Sequence, residues 1–362
     1  MRVAQLTFNT YNNYGNVLQK YALQQTLKKF VDFTEVLWFN GNGGTSNFWA
    51  ENAEIPPNKS LQYYLREAVK MSRFKDFDER YIKTRFNIPY IEDIADEYDF
   101  FVVGSDQVWN PKCEPVNMPF SIKFLNFVPR EKKIAYAASI GLKEIPAEFV
   151  KICAEGMASF NHISVRESNA VDIVKKLTGR DAELVLDPVF MLTPDEWLKV
   201  SRRPAWLNEK FERGYILTYF FDNIKLDVVS RLSKKLNLPV INLFDENVFN
   251  HYTVGLEEFV YLIANATAIF TNSFHGTAFS ILFKRPFVEY IKSGTWVTNV
   301  SERITSLLKM FKLEDRIFIP TNILNSPLEI DFSVRDKILP HERLKAFNFL
   351  TTALNSKGGD AY

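Results

Sequence analysis

Short apolar runs alternate with stretches of helical period along almost the whole chain, and this alternation limits the fold more than any other feature. Residues 3–8 read as a strand. After the polar turn at 9–13, Val17, Leu18, Tyr21, Ala22, Leu23, Leu27 and Phe30 recur at helical spacing. Further strands are expected at 34–39, 100–103, 134–138, 162–165 and 184–186, with helices at 148–159 and 169–177 and a helical region ending near Arg80. Beyond Asp187-Pro188 the pattern restarts, with strands at 215–220, 240–243, 268–271 and 287–290. Helices are expected there at 225–236, 256–265, 276–283, about 300–311, and finally 342–354. Strands alternating with helices argue for α/β domains built on parallel sheets covered on both faces. We therefore expect two doubly wound domains, residues 1–188 and 189–335, with a C-terminal helix in 336–362 packing back across them. Ligands of such folds bind outside the carboxyl ends of the strands, which makes the inter-domain cleft the expected site.

Composition supports this reading and excludes several others. A length of 362 residues suits about two domains. The 46% hydrophobic and 24% charged content is that of a globular chain with sizeable cores. Lys plus Arg (44) nearly cancels Asp plus Glu (43), so no net field directs the protein to nucleic acid. Cys113 and Cys153 belong to no CxxC pair or Cys/His cluster, which argues against a zinc site or disulfide framework. The start, MRVAQLTFNTYNNYG, lacks a signal-peptide core, and no stretch reaches the roughly 18 apolar residues of a membrane span. A cytoplasmic protein is expected. The 32 phenylalanines belong mostly to the core, with a share left for a ligand cleft or a lipid-facing surface. The Gly-, Asn- and Pro-rich stretch 40–59 is expected to form a mobile loop, either a surface insertion or a membrane-side contact. Peripheral contact with the inner face of a membrane thus stays open.

Four stretches can carry chemistry. In NNYGNVLQ (12–19), Gly15 permits a tight strand-to-helix turn, and Asn16 can cap a helix whose free N–H groups face an anion or sugar. With Asn13 and Tyr14 these residues are candidates for binding an acceptor sugar; a capped turn without ligand is the alternative. In VVGSDQVWNP (102–111) a buried strand ends in Gly104 and offers Ser105, Asp106 and Gln107 at the cleft edge. Asp106 can orient a hydroxyl or take its proton, and Trp109 can stack on a sugar ring; the alternative is an aspartate that caps a turn. In HISVRES (162–168) Arg166 leaves the carboxyl end of a strand, where its fork can bind carboxylate or phosphate, or form a structural ion pair. In TNSFHGTAFS (271–280) a strand ends near Thr271 and a small-residue helix follows. The helix N-terminus presents unpaired N–H groups, Ser273 and Thr277 add hydroxyls, Gly276 lets a ligand approach, and His275 can serve as acid or base. A capped turn with a buried imidazole is the alternative.

Together these stretches resemble the polysaccharide pyruvyl transferase family over nearly the whole chain. YAASIG (136–141), LVLDPVFML (184–192), TNSFHGTAFSILFKRPF (271–287) and SERITSLL (301–308) add to the likeness, and their order and spacing make it specific. The resemblance implies two Rossmann-like domains arranged as in GT-B glycosyltransferases. It also implies transfer of pyruvate from phosphoenolpyruvate to two hydroxyls of a sugar, forming a cyclic ketal and releasing phosphate. The implied donor-binding arginine is Arg166, and the implied acid/base histidine is His275. Family members often carry an arginine two residues before that histidine, where this chain has Ser273. Donor binding would then rest on Ser273, helix N–H groups at Gly276 and Thr277, or a basic residue such as Lys284.

The chemistry needs a proton donor for C3 of phosphoenolpyruvate, met by a protonated His275, and a base for the hydroxyls, for which Asp106 is the candidate. It also needs cations for carboxylate and phosphate. No step demands a metal or cofactor. A galactose- or mannose-type residue of a surface polysaccharide (capsule or exopolysaccharide), free or lipid-linked, is the expected acceptor. A glycosyltransferase using a nucleotide sugar and a non-catalytic anion- or glycan-binding protein are the rival readings.

Overall fold

The computed structural model describes residues 1–38, 59–86, 88, 92–113, 120–221, 227–290, 298–318, 328 and 330–356. The stretch 40–58 of the expected loop lies outside the described residues. In the first half the elements are β1 (Arg2–Leu6), α1 (Tyr14–Leu27), β2 (Phe33–Leu37), α2 (Leu61–Tyr81), β3 (Thr84–Arg85), β4 (Phe100–Val103) and β5 (Lys133–Ala138). Next come α3 (Val150–Ala158), β6 (His162–Val165), α4 (Ser168–Thr178), β7 (Glu183–Leu184) and the short α5 (Pro194–Leu198). The second half holds β8 (Ile216–Tyr219), α6 (Asp227–Leu236), β9 (Val240–Asn242), α7 (Phe249–Tyr252), α8 (Leu256–Asn265) and β10 (Ala268–Thr271). It closes with α9 (Phe274–Leu282), β11 (Phe287–Glu289), α10 (Thr298–Phe311) and α11 (Ser333–Asn355).

All described strand pairs are parallel, as the alternation requires. A seven-stranded sheet runs β3-β2-β1-β4-β5-β6-β7, and a four-stranded sheet runs β11-β10-β8-β9. Each sheet reverses its winding once, between β1 and β4 and between β8 and β10. In register, Leu6 lies opposite Val103 and Tyr219 opposite Thr271, so the chain leaves both switch points at matched strand ends. These crevices are where open α/β sheets bind ligands.

The two halves share a core. Tyr14, Val17 and Leu18 of α1 and Phe74 and Phe77 of α2 join Trp197, Phe259 and Phe279 in one buried cluster. On one flank α2 is also tied to the second half, where Arg73 donates to the Thr253 carbonyl at 2.7 Å and Arg80 to Glu257 at 2.8 Å. α11 starts well ahead of Glu342 and runs through Pro340, although proline removes a helix hydrogen bond. Its first turns are held by Arg335, which donates to the carbonyls of Ile281 and Leu282 at the end of α9. Its last turns bury Phe349, Leu350 and Leu354 against Val3, Leu23 and Ile134 of the first half. Among the described residues no helix is long and apolar enough to cross a membrane.

Candidate active site

The crevice after β1 and β4 brings two of the sequence motifs together. Asn13 caps α1, accepting the Asn16 N–H at 3.1 Å, and Asn16 turns its own side chain to donate to Asp106 at 3.1 Å. Gly104 has φ 125°, and a Cβ there would lie 2.1 Å from the Tyr136 carbonyl oxygen, so only glycine fits. Asp106 occupies the left-handed region (φ 64°), uncommon for a residue with a side chain. Neighbours hold it there: the N–H groups of Val108 and Ser139 donate to its carbonyl at 2.8 and 3.0 Å, and the Gln107 N–H donates to its carboxylate at 2.9 Å.

Arg166 fills the centre of this turn with its side chain fully buried. It donates to Asp187 at 2.6 Å and to Asp106 at 3.3 Å, and its Nε lies 3.8 Å from Glu167. Asp187 caps the 3-10 turn that follows it, accepting from the Val189 N–H at 3.0 Å. Glu167 collects the Ser139 hydroxyl and the N–H groups of Ile140 and Gly141, tying down the YAASIG loop. Burial opposes ionisation of Asp106. The positive charges of Arg166 and Arg303, its attraction to His275 and the Asn16 hydrogen bond outweigh that and hold its pKa down at about 2. Arg166 is thus a structural hub of the turn.

The second crevice supplies His275. α9 begins two residues ahead of the expected start because Ser273 caps it, accepting the Gly276 N–H at 3.3 Å. His275 therefore occupies the first turn of the helix, inside the field of its N-terminus. Its partner across the domains is Gly15, at the start of α1. A Cβ on Gly15 would fall 2.0 Å from His275 Nδ1, so glycine alone lets the two helix starts meet. His275 Nε2 is buried without a hydrogen-bond partner, 3.8 Å from Asp187. Burial pushes the imidazole pKa down to about 4. Arg166 and Arg303 push the same way, against the attraction of Asp187 and Asp106. At neutral pH this shift favours the neutral imidazole in the free protein, whereas the acid role expected from the sequence needs the protonated form.

The remaining candidates divide. Asn13 and Gln107 stay partly exposed, although the Gln107 amide oxygen accepts from Asn110 at 2.7 Å. Ser105 is sealed in, its hydroxyl between the Ala137 carbonyl and Asp187. Tyr14 donates to the Val254 carbonyl and stacks on Phe259 at 4.4 Å, so its ring serves the inter-domain core. Trp109 is fully buried against Phe160 and Phe124 and presents no face to a sugar. The Thr277 hydroxyl donates to Glu289, a buried carboxyl held well above its usual pKa by burial, and so is committed on the β11 side. Lys284 lies at the surface, paired with Asp336 at 2.6 Å, which removes it as the donor-binding cation.

One residue was not singled out from the sequence. Arg303, on α10, is 6% exposed. Its Nε has no hydrogen-bond partner, and its guanidinium carbon lies 5.8 Å from the centre of the Phe274 ring. A signal for it exists: with Ile304, Leu307, Leu308 and Phe311 it shares the apolar stripe of α10, where a solvated arginine would not fall.

The solved structures that this chain is similar to include several UDP-N-acetylglucosamine 2-epimerases. A putative UDP-N-acetylglucosamine 2-epimerase from Listeria monocytogenes superposes with TM-score 0.50 at 8% identity, over 99% of this chain and 99% of its own. A UDP-GlcNAc 2-epimerase from Neisseria meningitidis bound to UDP-GlcNAc gives TM-score 0.48 at 11% identity, covering 98% and 99%. An Anabaena protein in complex with UDP and glucose gives 0.49 at 10% identity, covering 97% and 100%. At such identities the likeness to the Listeria protein establishes a GT-B-like α/β fold and nothing about chemistry. No curated relative matches the sequence. The sequence model of polysaccharide pyruvyl transferases matches residues 13–291, a span that contains Asp106, Arg166, Asp187 and His275, and the chain belongs to that family.

Proposed function

We propose that the protein transfers pyruvate from phosphoenolpyruvate to two hydroxyls of a galactose- or mannose-type residue, making a cyclic ketal and releasing phosphate. The acceptor is a surface-polysaccharide unit, free or lipid-linked, met on the cytoplasmic side. The observation that carries this reading is His275: a buried imidazole with an unpartnered Nε2, set at the junction of both switch points beside Asp187, Asp106 and Arg166.

The proton count closes on that one imidazole. Phosphoenolpyruvate brings several negative charges next to a histidine that burial keeps neutral. Negative charge favours the imidazolium, so the donor enters with uptake of a proton. His275 gives that proton to C3, the C2–C3 π electrons form the new C–H bond, and C2 becomes an oxocarbenium centre. The first sugar hydroxyl bonds to C2, and its proton returns to the now neutral imidazole. The second hydroxyl then bonds to C2 as the C2–O bond to phosphate breaks, its proton leaving with the phosphate. Asp106 stays ionised throughout, because a carboxyl held near pKa 2 is too weak a base to keep a proton. Its part is to orient a hydroxyl and to stabilise the positive C2. The scheme uses no metal and no cofactor.

The test is incubation of the purified protein with phosphoenolpyruvate and aryl β-galactosides or α-mannosides. Phosphate release is followed together with the ketal methyl signal by NMR. Equal amounts of phosphate and ketal, both lost in His275→Ala, are expected. Near-normal turnover by His275→Ala removes the acid assignment. Turnover of UDP-sugars in place of phosphoenolpyruvate makes the protein a glycosyltransferase.

A further inference from the structure

Two arginines lie against one phenylalanine ring at the candidate site, and their surroundings are opposite. Arg166 stands 4.3 Å from the centre of the Phe274 ring and faces three carboxylates: Asp187 at 2.6 Å, Asp106 at 3.3 Å and Glu167 at 3.8 Å. Its charge is more than neutralised before any ligand arrives. Arg303 stands 5.8 Å from the same ring, is almost as deeply buried, and has no carboxylate within 4.0 Å among the described residues. Asp106 and Glu167 attract it only from beyond that distance, and a buried guanidinium with no carboxylate in contact is a cost to the fold that an anionic ligand relieves.

Its position is set by the fold and is not a chance of rotamer. One turn along α10, the Ser306 hydroxyl accepts the Ser168 N–H at 3.0 Å and lies 3.3 Å from the Ser168 hydroxyl. Ser168 follows Arg166 and Glu167 directly. Residues three apart share a helix face, so the contact that docks α10 on the first domain also delivers Arg303 to the Arg166 turn. Phe274, the ring that both arginines approach, precedes His275. Ser273 stands where a cation was expected, and Lys284 is taken by Asp336.

We infer that Arg303, rather than Arg166, is the arginine that receives an anionic oxygen of a small phosphorylated carboxylate, fixing the donor beside His275. The assignment rests on the pyruvyl-transfer reading and extends it. Arg166 then frames the carboxylates, and Arg303 supplies the positive charge that the donor meets. Arg303 also bears on the acid: its charge is one of those that keep His275 neutral, and a bound anion cancels it.

The test is calorimetric titration of the full chain at pH 7 with phosphoenolpyruvate, inorganic phosphate and UDP, using wild type, Arg303→Ala, Arg303→Lys and Lys284→Ala. Wild type should bind phosphoenolpyruvate, and Arg303→Ala should bind it roughly 30- to 100-fold more weakly, the scale of a lost charge-assisted contact. Arg303→Lys should recover part of the affinity, Lys284→Ala should match wild type, and added guanidinium should restore binding to Arg303→Ala. In turnover the loss should appear mainly in the KM for the donor. A purely structural arginine would instead destabilise the protein when removed, whereas Arg303→Ala should unfold no earlier than wild type. Equal affinity of wild type and Arg303→Ala for phosphoenolpyruvate overturns the assignment and leaves pyruvyl transfer standing. Binding of UDP but not phosphoenolpyruvate by wild type overturns the reading beneath it.

Discussion

The two switch points of this protein are built alike and finished differently. At the first, between β1 and β4, the charges are matched: Arg166 with Asp187 and Asp106, Glu167 with three donors, Asn16 with Asp106, although Arg166 Nε and the second Glu167 oxygen face each other at 3.8 Å without a hydrogen bond. At the second, between β8 and β10, His275 Nε2 has no partner, and the nearby Arg303 Nε has none either. A charge-matched polar network holds its geometry but has little left to offer an ionic ligand; a buried group with no counter-charge in contact is one that a ligand completes. The first domain thus provides a rigid frame and the second the receptive groups.

That contrast can be broken most forcefully at Arg166. Removing one partner from a buried ionic cluster leaves the others uncompensated, so Arg166→Ala should lose about 3–5 kcal/mol of stability in chemical denaturation. A loss below about 1 kcal/mol would mean that the first turn is not a frame. The next effect is a pH effect. His275 has its pKa lowered from 6.5 to about 4 by burial, so the folded protein binds fewer protons than the unfolded chain between those values. Its contribution is complete above pH 6.5 and disappears as the pH falls towards 4, up to about 3 kcal/mol. Asp106, lowered to about 2, adds loss in the same direction below pH 4. Unfolding followed from pH 7 to 4 should show a flatter acid limb in His275→Gln; an unchanged limb would mean that the imidazole is not held neutral. The smallest effect joins the two turns. Gly15→Ala places a methyl on His275 and should cost about 1–3 kcal/mol, as overpacking does. Combined with His275→Ala, the loss should be less than the sum of the two single changes, and strict additivity would remove the contact.

Much of the frame was legible in the chain. Strands at 100–103, 162–165 and 268–271 and the helix at 256–265 fall where periodicity places them, because each is an apolar run bounded by residues that end it. The motif residues Asn16, Asp106, Arg166 and His275 do come together, since all leave strand or helix ends at the two crevices. Other positions were misjudged for identifiable reasons. Gly276 reads as a helix start, yet the Ser273 cap begins α9 earlier. The last helix was expected from 342, yet α11 begins at Ser333, where the docking of Arg335 holds it ahead of Pro340. Trp109 and Tyr14 sit in cleft motifs, but a local sequence does not state which way a ring turns when two cores compete for it.

What the sequence by itself determined is therefore the order of elements, the parallel pairing that alternation imposes, and the turn chemistry at each strand end. These depend on nearest neighbours along the chain. Only the tertiary structure decided which charges cancel. Arg166 and Arg303 are the same side chain, each beside a glutamate in sequence, and the chain does not distinguish a neutralised guanidinium from a receptive one. The difference comes from which carboxylates the fold brings within 4 Å, and Coulomb energy in a buried site depends on those distances and not on sequence separation.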